Sequence, residues 1–221
     1  LPESVLFWKQ RIESVDPEQA FPLGLMYGPS GCGKTSLVRA GLLPRLGVHV
    51  AIVYVEADSS ATEARLLRRL RFVCDRLPDD LDLRDSLAAV RRNPQLAGGR
   101  KVLLVLDQFE QWLHAHPGGD ETELVQALRQ CDGRRVQCLI LVRDDFWLAM
   151  SRFLRGIEVP LVEGHNSALV DLFDRRHARK VLAAMGRTFG ALGAGPLGRG
   201  ENAFLDRAVE GLAEDGRVVC V

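Results

Sequence analysis

Three segments of this 221-residue chain are almost continuously apolar. They are HVAIVYV at 49–55, VLLVL at 102–106 and VQCLILV at 136–142. A strand with one face in solvent alternates polar and apolar residues, so these segments predict strands that are buried on both faces. Segments with helical spacing lie between them, and buried strands that alternate with helices indicate a parallel sheet. We therefore predict an α/β three-layer sandwich.

Composition excludes several classes of protein. Hydrophobic residues make up 47% and charged residues 26% of the chain, which is typical of a globular domain. Since 29 basic residues balance 29 acidic ones, no net charge favours nucleic acid, which we do not expect as a partner. The longest apolar runs are far below the ~20 residues of a membrane span, so we expect no membrane partner.

Cysteine usage indicates a reducing compartment. The five cysteines are odd in number and none has C-x-x-C spacing, which favours reduced thiols over disulfides or a zinc site. They are Cys32, Cys74, Cys131, Cys138 and Cys220. We therefore expect a cytoplasmic protein. Because the chain begins at Leu1 and ends on Val-Val-Cys-Val, we interpret it as a fragment of a longer one.

The segment GPSGCGKT at 28–35 fits the pattern G-x-x-x-x-G-K-[ST] and lies between an apolar run at 21–27 and a helical pattern at 34–43. Glycines in such a loop let backbone N–H groups surround phosphate oxygens. Lys34 then neutralises the β- and γ-phosphates, and the Thr35 hydroxyl binds Mg²⁺. The predicted nucleotide contacts are Gly28, Pro29, Ser30, Gly31, Cys32, Gly33, Lys34, Thr35 and Ser36.

The apolar run at 102–106 delivers Asp107 to its carboxyl end, which is the ligand edge of a parallel sheet. With the phosphate loop upstream, Asp107 is the second predicted Mg²⁺ residue, acting through the ion's water shell. The next acid, Glu110, either directs the attacking water as a general base or caps the following helix. Gln108 can position water but is no base, so we expect slow hydrolysis.

Arg143 directly follows the strand at 136–142. If that strand lies between those that carry the loop and Asp107, Arg143 senses the γ-phosphate. The alternative is that Arg143 pairs with Asp144, Asp145 or Glu110 and only stabilises the sheet edge.

A change of pattern near Gly164 predicts two domains. Residues 1–163 form the nucleotide-binding domain, whose last strand we predict at 158–162. Residues 164–221 form a truncated helical lid. We interpret His114 and His116 as part of a surface loop and the arginines at 65–76 as a solvated helix face. Phe21 and Pro22 are predicted to line the adenine pocket.

Three longer segments together carry a family resemblance. They are GPSGCGKTSLVRAGLLPRL, LLVLDQFEQW and LVRDDFW, and they resemble the STAND class of P-loop NTPases, most closely its bacterial group called novel STAND. The resemblance implies strand order 5-1-4-3-2, a helical domain after the sheet, and ATP or ADP with Mg²⁺ as cofactors. It assigns Lys34 and Thr35 to phosphate and metal, Asp107 to Mg²⁺, Glu110 to water and Arg143 to the γ-phosphate. Gln111 departs from the family's acidic pair.

The function that this resemblance implies is an ATP-binding, slowly hydrolysing switch module of a bacterial signalling or defence regulator. ADP would hold it closed, and exchange for ATP would open it for self-association through domains beyond this fragment. The alternatives are an AAA-type motor or loader acting on nucleic acid or protein, a small-molecule kinase, and a scaffold that binds nucleotide without hydrolysing it.

Overall fold

The computed structural model describes residues 2–117, 122–214 and 216–219; Cys220 lies outside them. The chain divides into two compact units. The first unit comprises Leu1–Tyr27 and Lys34–Leu169, and the second comprises Gly28–Gly33 and Val170–Val221. The phosphate loop thus groups with the C-terminal residues, whereas the sequence predicted domains of 1–163 and 164–221. Those domain boundaries stay a prediction.

The first unit contains a parallel sheet of five strands in the order β2-β3-β4-β1-β5, which confirms the predicted order. The strands are β1 (Leu23–Gly28), β2 (Val50–Glu56), β3 (Lys101–Asp107), β4 (Val136–Arg143) and β5 (Ser167–Leu169).

The two central strands, β3 and β4, are buried along almost their whole length, as the continuous apolar runs predicted. On one face, Leu104 and Ile140 belong to a core with side chains of the helices between the strands. Leu103 and Leu139 alternate with them and are also fully buried. Beside β4, the Trp8 ring packs against Gly24 of β1. Helices therefore cover both faces of the sheet, since Trp8 belongs to the N-terminal helix.

The first unit contains an N-terminal helix and the helices that lie between its strands. They are α1 (Glu3–Glu13), α2 (Lys34–Ser36), α3 (Thr62–Val73), α4 (Leu83–Arg92), α5 (Glu110–Ala115), α6 (Glu123–Leu128) and α7 (Trp147–Ile157). No helix in the described part of the chain is long and apolar enough to cross a membrane.

The helix predicted at 34–43 is regular only in α2. It continues as a π-helix over Leu37–Leu42 and ends in a 3₁₀ turn, Leu43–Arg45. Pro44 has no N–H to donate to the carbonyl of Ala40. The Arg45 guanidinium instead donates to the Ala40 and Gly41 oxygens, both at 2.7 Å. This arginine therefore satisfies carbonyl groups that the irregular helix leaves open.

The prediction of a strand at 158–162 is wrong, because the fifth strand of the sheet is β5 at Ser167–Leu169. Glu158 adopts a left-handed φ of 64° as the C-cap of α7, and Pro160 cannot donate to a sheet. The chain enters the sheet only after Asn166, which is 4% exposed. Its Nδ2 donates to the Leu23 and Pro160 carbonyls at 3.2 and 2.8 Å, and its Oδ1 accepts from the Val162 N–H at 2.7 Å.

The second unit is not all helical, contrary to the prediction of a purely helical lid. Alongside two helices it has a three-stranded antiparallel sheet in the order β6-β8-β7. Two-residue strands leave no periodic pattern in a sequence, which is why they were missed. The elements are β6 (Phe173–Asp174), α8 (Arg175–Thr188), α9 (Arg199–Leu212), β7 (Ala213–Glu214) and β8 (Arg217–Val218).

Asn166→Ala should destabilise the chain by about 2–3 kcal/mol, because it leaves the buried Leu23 carbonyl and the partly buried Pro160 carbonyl and Val162 N–H without their partner. Urea unfolding followed by circular dichroism measures this loss. Asn93→Ala is the matched control, since Asn93 is exposed and accepts one hydrogen bond, from the Gln95 N–H. It should cost only about 1 kcal/mol. Equal losses in both variants would contradict the role given to Asn166.

Candidate functional site

The predicted phosphate loop has a backbone that favours glycine. Gly31 has φ 72° and Gly33 has φ 90°, in the left-handed region that residues with a β-carbon avoid. Between them, the Cys32 N–H points back to the Pro29 carbonyl at 3.4 Å. Successive turns of this kind produce the concave backbone that binds anions. The loop therefore has the local conformation expected of its sequence.

Three of the predicted contacts, Lys34, Thr35 and Ser36, belong to the first unit and form α2. The Lys34 and Thr35 side chains are partly exposed and Ser36 is exposed. Each is thus placed on a helix that directly follows the loop in the chain, as the motif requires.

Asp107 ends β3 and is only 2% exposed. Its Oδ2 accepts a hydrogen bond from the Tyr54 hydroxyl at 2.5 Å, and its Oδ1 accepts the Gln108 N–H at 2.8 Å. Both carboxylate oxygens therefore have one partner each and keep further lone pairs for a ligand. Burial, and then the hydrogen bond to Asp107, raise the pKa of Tyr54 well above its usual value, so that its hydroxyl stays a donor.

Sequence reasoning missed Tyr54. In the parallel register, Glu56 of β2 lies opposite Asp107 of β3. Tyr54 precedes Glu56 by two residues, so the two side chains point to the same face of the sheet. Pairing HVAIVYVE with KVLLVLD at their carboxyl ends would have brought this hydroxyl near the carboxylate.

The turn after Asp107 is strained and directs Glu110 inward. Gln108 has φ 54°, which is uncommon for a residue with a β-carbon and has an energy cost of roughly 1–3 kcal/mol. The next residue, Phe109, is buried and donates its N–H to the Leu141 carbonyl of β4 at 3.0 Å. Glu110 then begins α5 at 9% exposure.

The Glu110 carboxylate has an unusual environment. Its Oε2 is buried and has no hydrogen-bond partner within the described residues. The N-cap of α5 is Phe109, which makes no side-chain hydrogen bond. A buried polar oxygen without a partner is destabilising, and a catalytic role is one explanation for such an atom in a native structure.

An aromatic cluster supports the start of α5. The Phe109 and Trp112 rings stack with centroids 5.3 Å apart, and both contact Phe153 of α7 edge-on. The Trp112 Nε1 donates to Glu63 of α3 at 3.0 Å. The strained turn is therefore held by packing on one side. Gln111, where the family has its second acid, is exposed.

Arg143 ends β4, which lies between β3 and β1 as its predicted role requires. Its side chain forms a two-point ion pair with Asp145. Nε donates to Oδ1 at 3.1 Å, and Nη2 donates to Oδ2 at 2.6 Å. The Arg143 side chain is 42% exposed, so this pair faces water. The pairing that the sequence left open is thus present.

Other predicted features are placed away from this chemistry. Phe21 is completely buried against Trp8, so its ring is part of the core. His116 stacks on Trp112, and within the described ranges no three His, Cys, Asp or Glu residues are arranged to hold a metal. The four described cysteines are buried thiols outside any disulfide: Cys32, Cys74, Cys131 and Cys138.

A model of the family described as Novel STAND NTPase 1 matches residues 9–190. A search among curated proteins gave no match.

Solved structures share the fold at low sequence identity. The Walker-type ATPase PABY2304 of Pyrococcus abyssi is 20% identical with a TM-score of 0.61, over 98% of this chain and 63% of its own. The ADP form of Aeropyrum pernix ORC2 is 16% identical with a TM-score of 0.61, over 97% and 57%. Aeropyrum pernix ORC1 in complex with DNA is 18% identical with a TM-score of 0.52, over 85% and 50%. The chain thus spans half to two thirds of these proteins.

Glu110→Gln should raise the free energy of unfolding by about 1 kcal/mol, because it removes a buried charge whose Oε2 has no partner. Chemical denaturation measures the difference. Glu63→Gln is the matched control: Glu63 accepts the Trp112 hydrogen bond, so weakening that bond should lower stability. Equal destabilisation by both substitutions would show that Glu110 is satisfied in solution.

Proposed function

Because residues 9–190 match the family's model, the chain belongs to the Novel STAND NTPase 1 family, and we propose that it binds ATP with Mg²⁺ and hydrolyses it slowly. The observation that carries this proposal is the order of three adjacent parallel strands, β1, β4 and β3. They lead into the phosphate loop, into Arg143 and into Asp107, respectively. Ligands of open α/β sheets bind at such carboxyl ends.

The donor set fits nucleotide and Mg²⁺. In the proposed complex, loop N–H groups and Lys34 bind the β- and γ-phosphates, while Thr35 and Asp107 hold the metal. Mg²⁺ prefers oxygen ligands, and Asp107 offers carboxylate oxygens that keep free lone pairs. The bound ion would neutralise charge on the phosphates. Tyr54 and the Gln108 N–H fix the carboxylate that faces it.

Glu110 is the proposed acid that directs water. Its unpartnered, buried Oε2 can accept a proton from a water molecule, and the aromatic cluster keeps α5 in place. Gln108 is exposed and follows Asp107 directly, so it can orient water without accepting its proton. This division of roles supports slow turnover.

Arg143 is the proposed γ-phosphate sensor, and Asp145 competes with the phosphate for it. A guanidinium in a two-point carboxylate pair presents the same geometry that a phosphate accepts. We infer that ATP draws Arg143 away from Asp145 and that ADP leaves the pair intact. Such unequal contacts in the two nucleotide states are what a conformational switch requires. We extend this proposal to opening and self-association in the ATP state, and to a role in bacterial signalling or defence.

A nucleic-acid motor is the second candidate, because one structural neighbour, Aeropyrum pernix ORC1, was solved in complex with DNA. The balanced charge of this chain disfavours it. Adding duplex and single-stranded DNA to the hydrolysis assay decides between them. Salt-dependent stimulation would favour the motor, and an unchanged rate favours the switch.

Titration with ADP, ATP and GTP in the presence of Mg²⁺ tests the proposal, with phosphate release measured in parallel. Wild-type protein should prefer adenine nucleotides and turn over slowly. Lys34→Ala should weaken ATP binding at least ~10-fold, because it removes the cation that faces the phosphates. Lys9→Ala is the control, since Lys9 pairs with Glu13 on α1, outside the proposed site. No nucleotide binding by the wild type would reject the function.

Glu110→Gln should lower phosphate release by roughly 100-fold or more while ATP still binds, since a general base contributes about that much. Single-turnover hydrolysis with pre-bound ATP separates the two effects. Glu123→Gln, a conservative change at the start of α6, should leave the rate unaltered. Normal turnover in Glu110→Gln would transfer the role to another group.

Asp145→Asn should strengthen binding of ATP relative to ADP by about threefold to tenfold, because it weakens the partner that competes for Arg143. Calorimetric affinities for both nucleotides measure the ratio. Asp144→Asn is the control, because it removes one negative charge next to Asp145 and leaves the ion pair between Arg143 and Asp145 intact. A ratio equal in all three proteins would remove Asp145 from the switch.

A further inference from the structure

We propose that Tyr54 is a positioning residue that fixes the Asp107 carboxylate for metal binding. The inference rests on the proposed function, because it assumes that Asp107 faces Mg²⁺. Tyr54 belongs to neither the phosphate loop nor the acidic motif, and its role follows from contacts within the first unit. It concerns how tightly the metal is held, rather than whether nucleotide binds.

The hydroxyl of Tyr54 lies 2.5 Å from Asp107 Oδ2. The other oxygen, Oδ1, accepts the Gln108 N–H at 2.8 Å. Two donors on two oxygens of one carboxylate define the rotation of its plane, which a single donor does not. Since the side chain is 2% exposed, water cannot readily replace either donor. The remaining lone pairs therefore point in a fixed direction.

Tyr54 is itself held from two sides. Its strand pairs with β3 in register, with Tyr54 opposite Val105 and Glu56 opposite Asp107. On the exposed side, the Arg39 guanidinium lies 5.4 Å from the centre of the Tyr54 ring and 3.6 Å from Glu56 Oε1. Cation–π contact favours this placement of the ring.

Arg39 connects this arrangement to the phosphate-binding helix. It lies on the π-helical segment Leu37–Leu42, which continues α2 after Lys34 and Thr35. The path runs from α2 through Arg39 and the Tyr54 ring to Asp107. The helical segment that carries Thr35 is thus connected to Asp107 through the side chains of Arg39 and Tyr54.

Tyr54→Phe tests the inference, because it removes the hydroxyl and keeps the ring. We expect Mn²⁺, used as the probe for Mg²⁺, to bind the protein–ADP complex about tenfold more weakly, the effect of one hydrogen bond to a charged group. Electron paramagnetic resonance of free Mn²⁺ measures this affinity without turnover. In the hydrolysis assay, the half-saturating Mg²⁺ concentration should rise by more than the rate at saturating Mg²⁺ falls.

Tyr27→Phe is the matched control. Tyr27 is the only other tyrosine in the chain, and its hydroxyl also contacts a carboxylate, that of Glu163 at 3.3 Å. Loss of this exposed contact should leave Mn²⁺ affinity unchanged. A second variant, Arg39→Ala, loosens the ring without touching Asp107 and should weaken Mn²⁺ binding about threefold. It provides the test if Tyr54→Phe does not fold.

The outcomes separate the inference from the function on which it rests. If wild-type protein binds nucleotide with Mn²⁺ and Tyr54→Phe does so equally well, Tyr54 only stabilises the fold and the inference is wrong. Equal weakening in Tyr54→Phe and Tyr27→Phe would also overturn it, as a general loss of stability. If the wild type binds no Mn²⁺–ADP and Asp107→Ala behaves identically, the proposed function fails first and the inference falls with it.

Discussion

Burial of the two central strands on both faces is the constraint on which the rest of this structure depends. Because β3 and β4 are covered by packed side chains along almost their whole length, their faces offer no place for polar chemistry. Charged groups that could bind a ligand are therefore confined to the strand ends. Asp107 and Arg143 occupy those ends on neighbouring strands. The same apolar runs that stabilise the fold therefore concentrate its functional groups at one edge of the sheet.

Two features at that edge of the sheet are locally destabilising. Gln108 adopts a left-handed backbone conformation, and Glu110 follows it with a buried oxygen that has no partner. Both features are unfavourable by themselves. They persist because Phe109 and Trp112 stack on each other and pack against α7, and because the Phe109 N–H joins β4. The aromatic residues of the segment DQFEQW thus hold a conformation that its polar residues would not adopt alone.

Sequence reasoning predicted the parts of this structure that follow from continuous burial. It found the central strands and the segments at their ends, and the family resemblance supplied the strand order. It failed where tertiary contacts decide: β5 begins after Asn166, whose three hydrogen bonds no periodicity reveals. Tyr54 was missed because its partner is 53 residues away, across a strand pair whose register was not predicted. The assignment of nucleotide and metal to these residues stays a prediction.

The charged groups at the sheet edge differ in a way that matches their proposed tasks. A metal ligand must point in one direction, and Asp107 has a donor on each oxygen. A sensor must exchange partners, and Arg143 has an exposed, replaceable one in Asp145. An acid that accepts a proton from water needs an open lone pair, which Glu110 keeps at Oε2. Residue type alone does not distinguish these roles, since Asp107 and Glu110 are both carboxylates. Their surroundings therefore support the proposed roles, and the Tyr54 hydroxyl, which lies outside every motif, gives Asp107 a donor that Glu110 Oε2 lacks.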